Sequence, residues 1–117
     1  MTRDQQRLAA YLAHIIEAIE RIDRYTEDMD EGAFLSSQLV QDAVIRNIEI
    51  IGEASNNIEK HHPEFAAAYP ELPLAVAYQM RNAVTHGYFK VDFEIVWKTI
   101  QRDLPALHAQ IAKIEIR

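Results

Sequence analysis

QDAVIRNIEIIGEASNNIEK, residues 41–60, decides the fold. Val44, Ile48, Ile51, Ala54 and Ile58 recur three or four positions apart, with Val40 just ahead. That spacing winds one apolar seam along a helix. At about 100° per residue, Asp42, Arg46, Glu49, Glu53 and Lys60 gather on the opposite side. Ser36 and Ser37 supply hydroxyls of the kind that cap a helix start, so the helix is expected from there to about Lys60. Asn47 falls inside the apolar arc, where a buried amide needs partners. A structural hydrogen bond is the favoured reading of Asn47 over direct substrate contact. Ile45 lies outside the seam, and a face left partly apolar would suit a homodimer.

Working outward, residues 3–26 carry Leu8, Tyr11, Leu12, Ile15, Ile19 and Ile22 at the same spacings, a second helix stripe. TEDMDEG, residues 26–32, breaks it with charge and Gly32. HHPEFAAAYPELP, residues 61–73, contains three prolines and room for a short helix. A third helix starts near Pro73, carries Val76, Met80 and Val84, and should stop at Gly87. Asp92 caps a fourth, whose Phe93, Trp97, Ile100, Leu104, Leu107, Ile111 and Ile114 make a heptad-type seam. Pro105 sits inside that run and should kink or break it. No segment sustains a period of two. The expectation is all-α: an antiparallel up-and-down bundle of four main helices plus a short one, forming one domain over residues 1–117.

Composition narrows the function classes. A chain of 117 residues buries roughly two thirds of its unfolded surface, enough for one core. It has no cysteine, which removes disulfides and cysteine-based zinc sites and fits a reducing cytoplasm. The N-terminal segment MTRDQQRLAAYLAHIIEAIE has no apolar stretch free of charges long enough for a signal peptide or membrane span. The formal net charge of −6 argues against a general nucleic-acid coat or a polybasic membrane binder. It leaves room for a nuclease with a small local basic site.

The chemistry concentrates in RNAVTHGY, residues 81–88. Arg81 and His86 are five residues apart, about 140° on an ideal helix, so they meet only if the last turn loosens at Gly87. Asn82 and His86 are an i,i+4 pair. A guanidinium offers a planar fork to a phosphate. Histidine, with a free pKa of roughly 6.5, exchanges protons near neutrality. Arginine with histidine is the minimum set for cleaving RNA without a metal, and a two-fold axis beside the motif would double it. The plainer reading is also open: Arg81 as an ion-pair partner of Glu49 or Glu53, His86 as a cap, Tyr88 as packing.

R-N-x3-H-x-Y, together with the R-N-x-E-x-I-G-E-A pattern beginning at Arg46, resembles the HEPN ribonucleases, specifically the HepT-like toxins paired with a minimal nucleotidyltransferase (MNT) antitoxin. The likeness runs through residues 41–58 and 81–107. It implies a homodimeric helical bundle and metal-independent RNA cleavage, with Arg81 and His86 catalytic and Asn82 supporting. It also implies neutralisation by transfer of AMP to the motif tyrosine, here Tyr88. One departure is Leu74 after Pro73, where the family often has Trp, which bears on packing more than on chemistry.

Arg46, Glu49 and Glu53 form a charged stripe: a solvated face, or support that orients Arg81 and lines the dimer cleft. Glu59 and His62 spell E-x-x-H, but a di-iron bundle needs a second copy that the sequence lacks. His61 and His62 beside Pro63 look like a helix end, and His14 and His108 stand singly. No Gly-rich phosphate loop, H-E-x-x-H or G-x-S-x-G is present. No metal or cofactor is expected. The competing function is a non-catalytic helical subunit that docks a nucleotidyltransferase and holds a nucleotide phosphate.

Overall fold

The computed structural model describes residues 2–86 and 91–114, and within that range the side chains of all but Val76 and residues 83–86. The described residues form helices and connecting turns, with no strand among them.

Helix α1 spans Arg3–Thr26 and opens with a capping box. The Thr2 hydroxyl accepts from the Gln5 amide at 3.1 Å, and Gln5 Oε1 accepts from the Thr2 amide at 2.9 Å. Its stripe buries Leu8, Leu12, Ile15, Ala18, Ile19 and Ile22 as the spacing required, and Tyr11 is half-buried.

The first helix ends and the chain breaks within residues 26–32 as expected, but Gly32 is not the breaker. The chain turns at residues 27–30, and Gly32 lies inside a short helix, α2, Glu31–Leu35. Asp30 caps it, accepting from the Ala33 amide at 2.8 Å. An acidic cap therefore restarts the helix where charge and glycine suggested a loop. The element has a purpose in packing: Phe34 is fully buried, with ring centroids 5.3 Å from Trp97 and 6.1 Å from Phe93. Gln41 Nε2 closes its end by donating to the Phe34 and Leu35 carbonyls at 3.0 Å each.

Helix α3, Gln38–His61, starts on Ser37, whose hydroxyl accepts from the Val40 amide at 3.3 Å. It is the central helix, packed against α1 on one side and α5 on another. Val44, Ile48, Ile51 and Ile58 are fully buried; each such side chain contributes about 2 kcal/mol by leaving water. Ser55 is buried among them and satisfies its hydroxyl on the Ile51 carbonyl at 2.7 Å. Ile45 is half-buried and packs against the core. Among the described residues, the exposed large apolar side chains are Leu39, Ile95, Tyr25 and Leu35.

Helix α4, Pro63–Ala68, is the short helix expected among the prolines, with Pro63 in its first turn. Helix α5 spans Leu74–His86. Helix α6, Phe93–Lys98, is capped by Asp92, which accepts from the Glu94 and Ile95 amides at 3.0 and 3.3 Å. Pro105 marks a local break in the helical run, as expected, and the break takes the form of a widened turn. A π-turn over Thr99–Asp103 leads into α7, Leu104–Ala112, with the Leu104 amide bonded five residues back to the Thr99 carbonyl. Proline has no N–H, and its ring collides with the carbonyl four residues earlier; one widened turn gives that carbonyl room. The seam survives, so Ile100, Leu104, Leu107 and Ile111 are all buried, and α7 packs on α1. None of the described helices is long and apolar enough to cross a membrane.

Candidate active site

The site begins with a glycine. Gly52 sits mid-way along α3 on the side facing α5. A Cβ there would overlap Arg81 Cβ, lie 2.7 Å from Arg81 Cγ and 3.1 Å from the Ala77 carbonyl oxygen. The two helices therefore cross with the Arg81 stem laid over bare backbone. Gly52 has no positive φ, so its use here is space, not turn geometry.

This crossing delivers the Arg81 guanidinium to a defined place. Nη2 lies 3.3 Å from Glu53 Oε2, one residue beyond the glycine, and Nη1 donates to Asn82 Oδ1 at 2.9 Å. Tyr78, one turn earlier on α5, lies beneath it with the ring centroid 6.0 Å from Cζ. These two polar contacts use two of the five guanidinium N–H donors, leaving three for an incoming anion. The side chain is about one quarter exposed, reachable yet held.

Arg81 opens onto a groove of about 530 Å³, within the range that holds small ligands. The α3 wall carries Arg46, Glu49, Glu53 and Asn57; the α1 wall carries Tyr11 and His14. Arg46 Nη1 pairs with Glu49 Oε2 at 3.8 Å, an exposed and loose contact. The stripe read from the sequence is thus divided: Glu53 holds Arg81, while Glu49 and Arg46 pair along α3 beside it.

A family model described as ribonuclease HepT-like matches residues 15–114. The chain belongs to the HepT-like ribonuclease family. Among its relatives, a Thermococcus cleftensis protein described as a probable ribonuclease HepT is 41% identical over 104 residues, which is 89% of this chain and 92% of that protein. A Methanocaldococcus jannaschii protein described as a gamma-glutamylcyclotransferase and candidate RNase is 43% identical over 104 residues, 89% of this chain but 46% of the relative. The chain therefore spans about half the length of that larger protein. A Caldanaerobacter subterraneus protein described as a candidate RNase is 32% identical over 104 residues, 89% of this chain and 90% of its own. No solved structure matches the chain.

Membership places an endoribonuclease chemistry on a HepT-like all-α frame. The remaining sequence expectations distribute unevenly over that frame. Asn82 faces Arg81, with Arg81 Nη1 donating to its side-chain oxygen. The backbone of α5 reaches His86, whose side chain lies outside the described residues, as do Gly87 and Tyr88. Asn47 is buried, 4% exposed, and Nδ2 donates to the Ala43 carbonyl at 2.9 Å, the structural bond expected of it. Its Oδ1 has no partner among the described residues. His62 of the E-x-x-H pattern is buried at the α3–α4 joint, 3.5 Å from Asp4 and edge-on to Tyr11, so its setting is packing between helix ends. No group of metal-ligating side chains occurs among the described residues.

Gly52, Tyr78, Tyr11, His14 and Asn57 went unread as site residues in the sequence. Gly52 left a signal, since an isolated glycine inside a strong helix pattern usually marks a close approach. Tyr78 left another, three residues before Arg81 on the same face. Tyr11, His14 and Asn57 left none, because only the packing of α1 on α3 brings them together.

Proposed function

We propose that the chain is the toxin of a HepT/MNT toxin–antitoxin pair, a metal-independent endoribonuclease whose catalytic residues are Arg81 and His86. The observation that carries this reading is the Arg81 guanidinium, fixed by Glu53 and Asn82 beside an open groove and five residues before His86. Arg81 takes the scissile phosphate and balances the charge that builds on its oxygens. His86 moves a proton from the 2′-hydroxyl, or to the departing 5′-oxygen. The 2′-oxygen bonds to phosphorus, the bond to the 5′-oxygen breaks, and the products are a 2′,3′-cyclic phosphate and a free 5′-hydroxyl. One histidine cannot stand ready for both transfers at once. A homodimer with its axis beside the motif supplies a second Arg81–His86 pair, giving one base and one acid. Asn82 and Glu53 orient the guanidinium, Arg46 and Glu49 line the approach, and Asn47 braces α3 from inside.

The purified chain is expected to cut RNA in excess EDTA and to leave cyclic-phosphate ends. His86→Ala should lose this activity while its circular dichroism and melting match the parent. RNA left intact by the parent, at any metal concentration, would remove the ribonuclease reading and leave the nucleotide-holding subunit.

Restraint of the toxin is assigned to Tyr88, as the acceptor of AMP from the cognate nucleotidyltransferase. A phosphodiester two residues from His86 adds negative charge and bulk where RNA must approach. Tyr88→Phe should stay toxic when co-expressed with the antitoxin, and its intact mass should show no added AMP. The same mass increase on that variant would move the acceptor to another residue.

A further inference from the structure

The groove beside Arg81 has a second half whose chemistry differs from that of a phosphate site. Both of its guanidinium groups already face carboxylates, Arg81 with Glu53 and Arg46 with Glu49. What opens on the groove without a polar partner among the described residues is the Asn57 amide from α3, and the Tyr11 phenol and His14 imidazole from α1. Half-buried Ile50 and buried Ala54 also line the groove and add apolar surface to it. The place for a phosphate is at the remaining Arg81 donors; away from them this half offers an anion no arginine beyond Arg46, which pairs with Glu49. A flat heteroaromatic ring fits it well, with an apolar and aromatic bed for its face and a two-sided amide for its edge. Asparagine matches a base that presents a donor beside an acceptor.

We propose that this α1–α3 half of the groove is a nucleobase subsite. It takes the base next to the phosphate held by Arg81, with Asn57 reading its edge, Tyr11 and Ile50 bedding its face, and His14 meeting the sugar at the rim. This rests on the ribonuclease reading for the placement of the phosphate, but base selection by the subsite can be measured without cleavage. The subsite makes the enzyme base-selective at one position, by a device on α1 and α3 that lies outside the octet 81–88.

Two measurements with one oligonucleotide set test it. Tetranucleotides varied at a single position are assayed for cleavage as RNA and for binding as uncleavable 2′-O-methyl analogues. The parent should prefer one base by roughly tenfold in both assays, the size of one good bidentate contact. Asn57→Ala should flatten the preference, and Asn57→Asp should redirect it, because one donor becomes an acceptor. Tyr11→Phe, which keeps the ring, should weaken binding less than Tyr11→Ala, with melting curves checking that α1 still packs. Selective binding that depends on Asn57 without any cleavage would keep the subsite and remove the ribonuclease reading. Cleavage with no base preference, or a preference unmoved by either Asn57 variant, would overturn the subsite and leave the ribonuclease standing. Asn57 and Tyr11 variants that change oligomeric state while the base preference stays intact would assign this face to a second copy of the chain and also overturn it.

Discussion

Gly52→Ala is expected to lower the stability of the fold by about 2 kcal/mol and RNA cleavage by about a hundredfold. Two effects oppose each other. Replacing glycine inside a helix gains about 1 kcal/mol in propensity. Against this, the new methyl meets Arg81 Cβ and Cγ and the Ala77 carbonyl, atoms close to or part of the α5 backbone. None of these can swing aside like the tip of a long side chain, so α5 must shift bodily. Overpacking of this kind costs roughly 3 kcal/mol and outweighs the propensity gain. The melting temperature should fall by about 8 °C for a chain of this length. Activity suffers separately, because a group displaced by about 1 Å from its working position loses about 10² in rate. Gly32→Ala is the matched control: its Cβ would meet nothing nearer than Asp30 Oδ1 at 3.6 Å, so propensity alone acts and stability should rise by about 0.5–1 kcal/mol. Denaturant melts and initial cleavage rates on both variants check the pair. Wild-type stability in Gly52→Ala would mean that α3 and α5 do not cross there as closely as described.

The helices were legible because their apolar positions repeat at three and four, a period that only one backbone conformation turns into a continuous face. Thr2 and Ser37 then fix starting points by hydrogen bonds that span three residues. Where the sequence misled, competing local signals were present. Gly32 suggested a break, yet Asp30 capped a new turn and the burial of Phe34 stabilised it. Pro105 signalled a kink or local break, and the chain makes that break as one wide turn that leaves the seam in place. Half of the candidate site was legible for a similar reason. Arg81 and Asn82 are adjacent, and Glu53 stands on the charged side of a helix whose seam was already clear. The other half depends on which helices meet. No spacing within α1 reveals that Tyr11 and His14 face Asn57, forty-six and forty-three positions away in the chain.

Arg81→Ala should reduce cleavage by about a thousandfold or more while barely moving stability, the opposite balance from Gly52→Ala. The stability side follows from exposure: the Glu53 carboxylate it pairs with is 59% exposed, and such pairs contribute at most about 1 kcal/mol. The activity side follows from the charge that accumulates on the phosphate oxygens as the fifth bond forms. Removing one preorganised donor from such a site costs about 10²–10³ in rate. In a homodimer the substitution removes both guanidinium groups around one phosphate, which pushes the loss to the upper end. Arg81→Lys separates charge from shape. It keeps a cation but loses the planar fork that meets Glu53, Asn82 and a phosphate together, so RNA binding should partly survive while turnover stays low. Glu53→Gln probes the partner. The amide oxygen still accepts from Arg81, but the negative charge that competes with RNA is gone, so KM should fall a fewfold with kcat changed less. Steady-state kinetics on a single labelled RNA, with melting curves alongside, measure all three. Cleavage by Arg81→Ala at the parent rate would reject the guanidinium as the phosphate's partner and point to Arg46, on the same groove, as the catalytic cation.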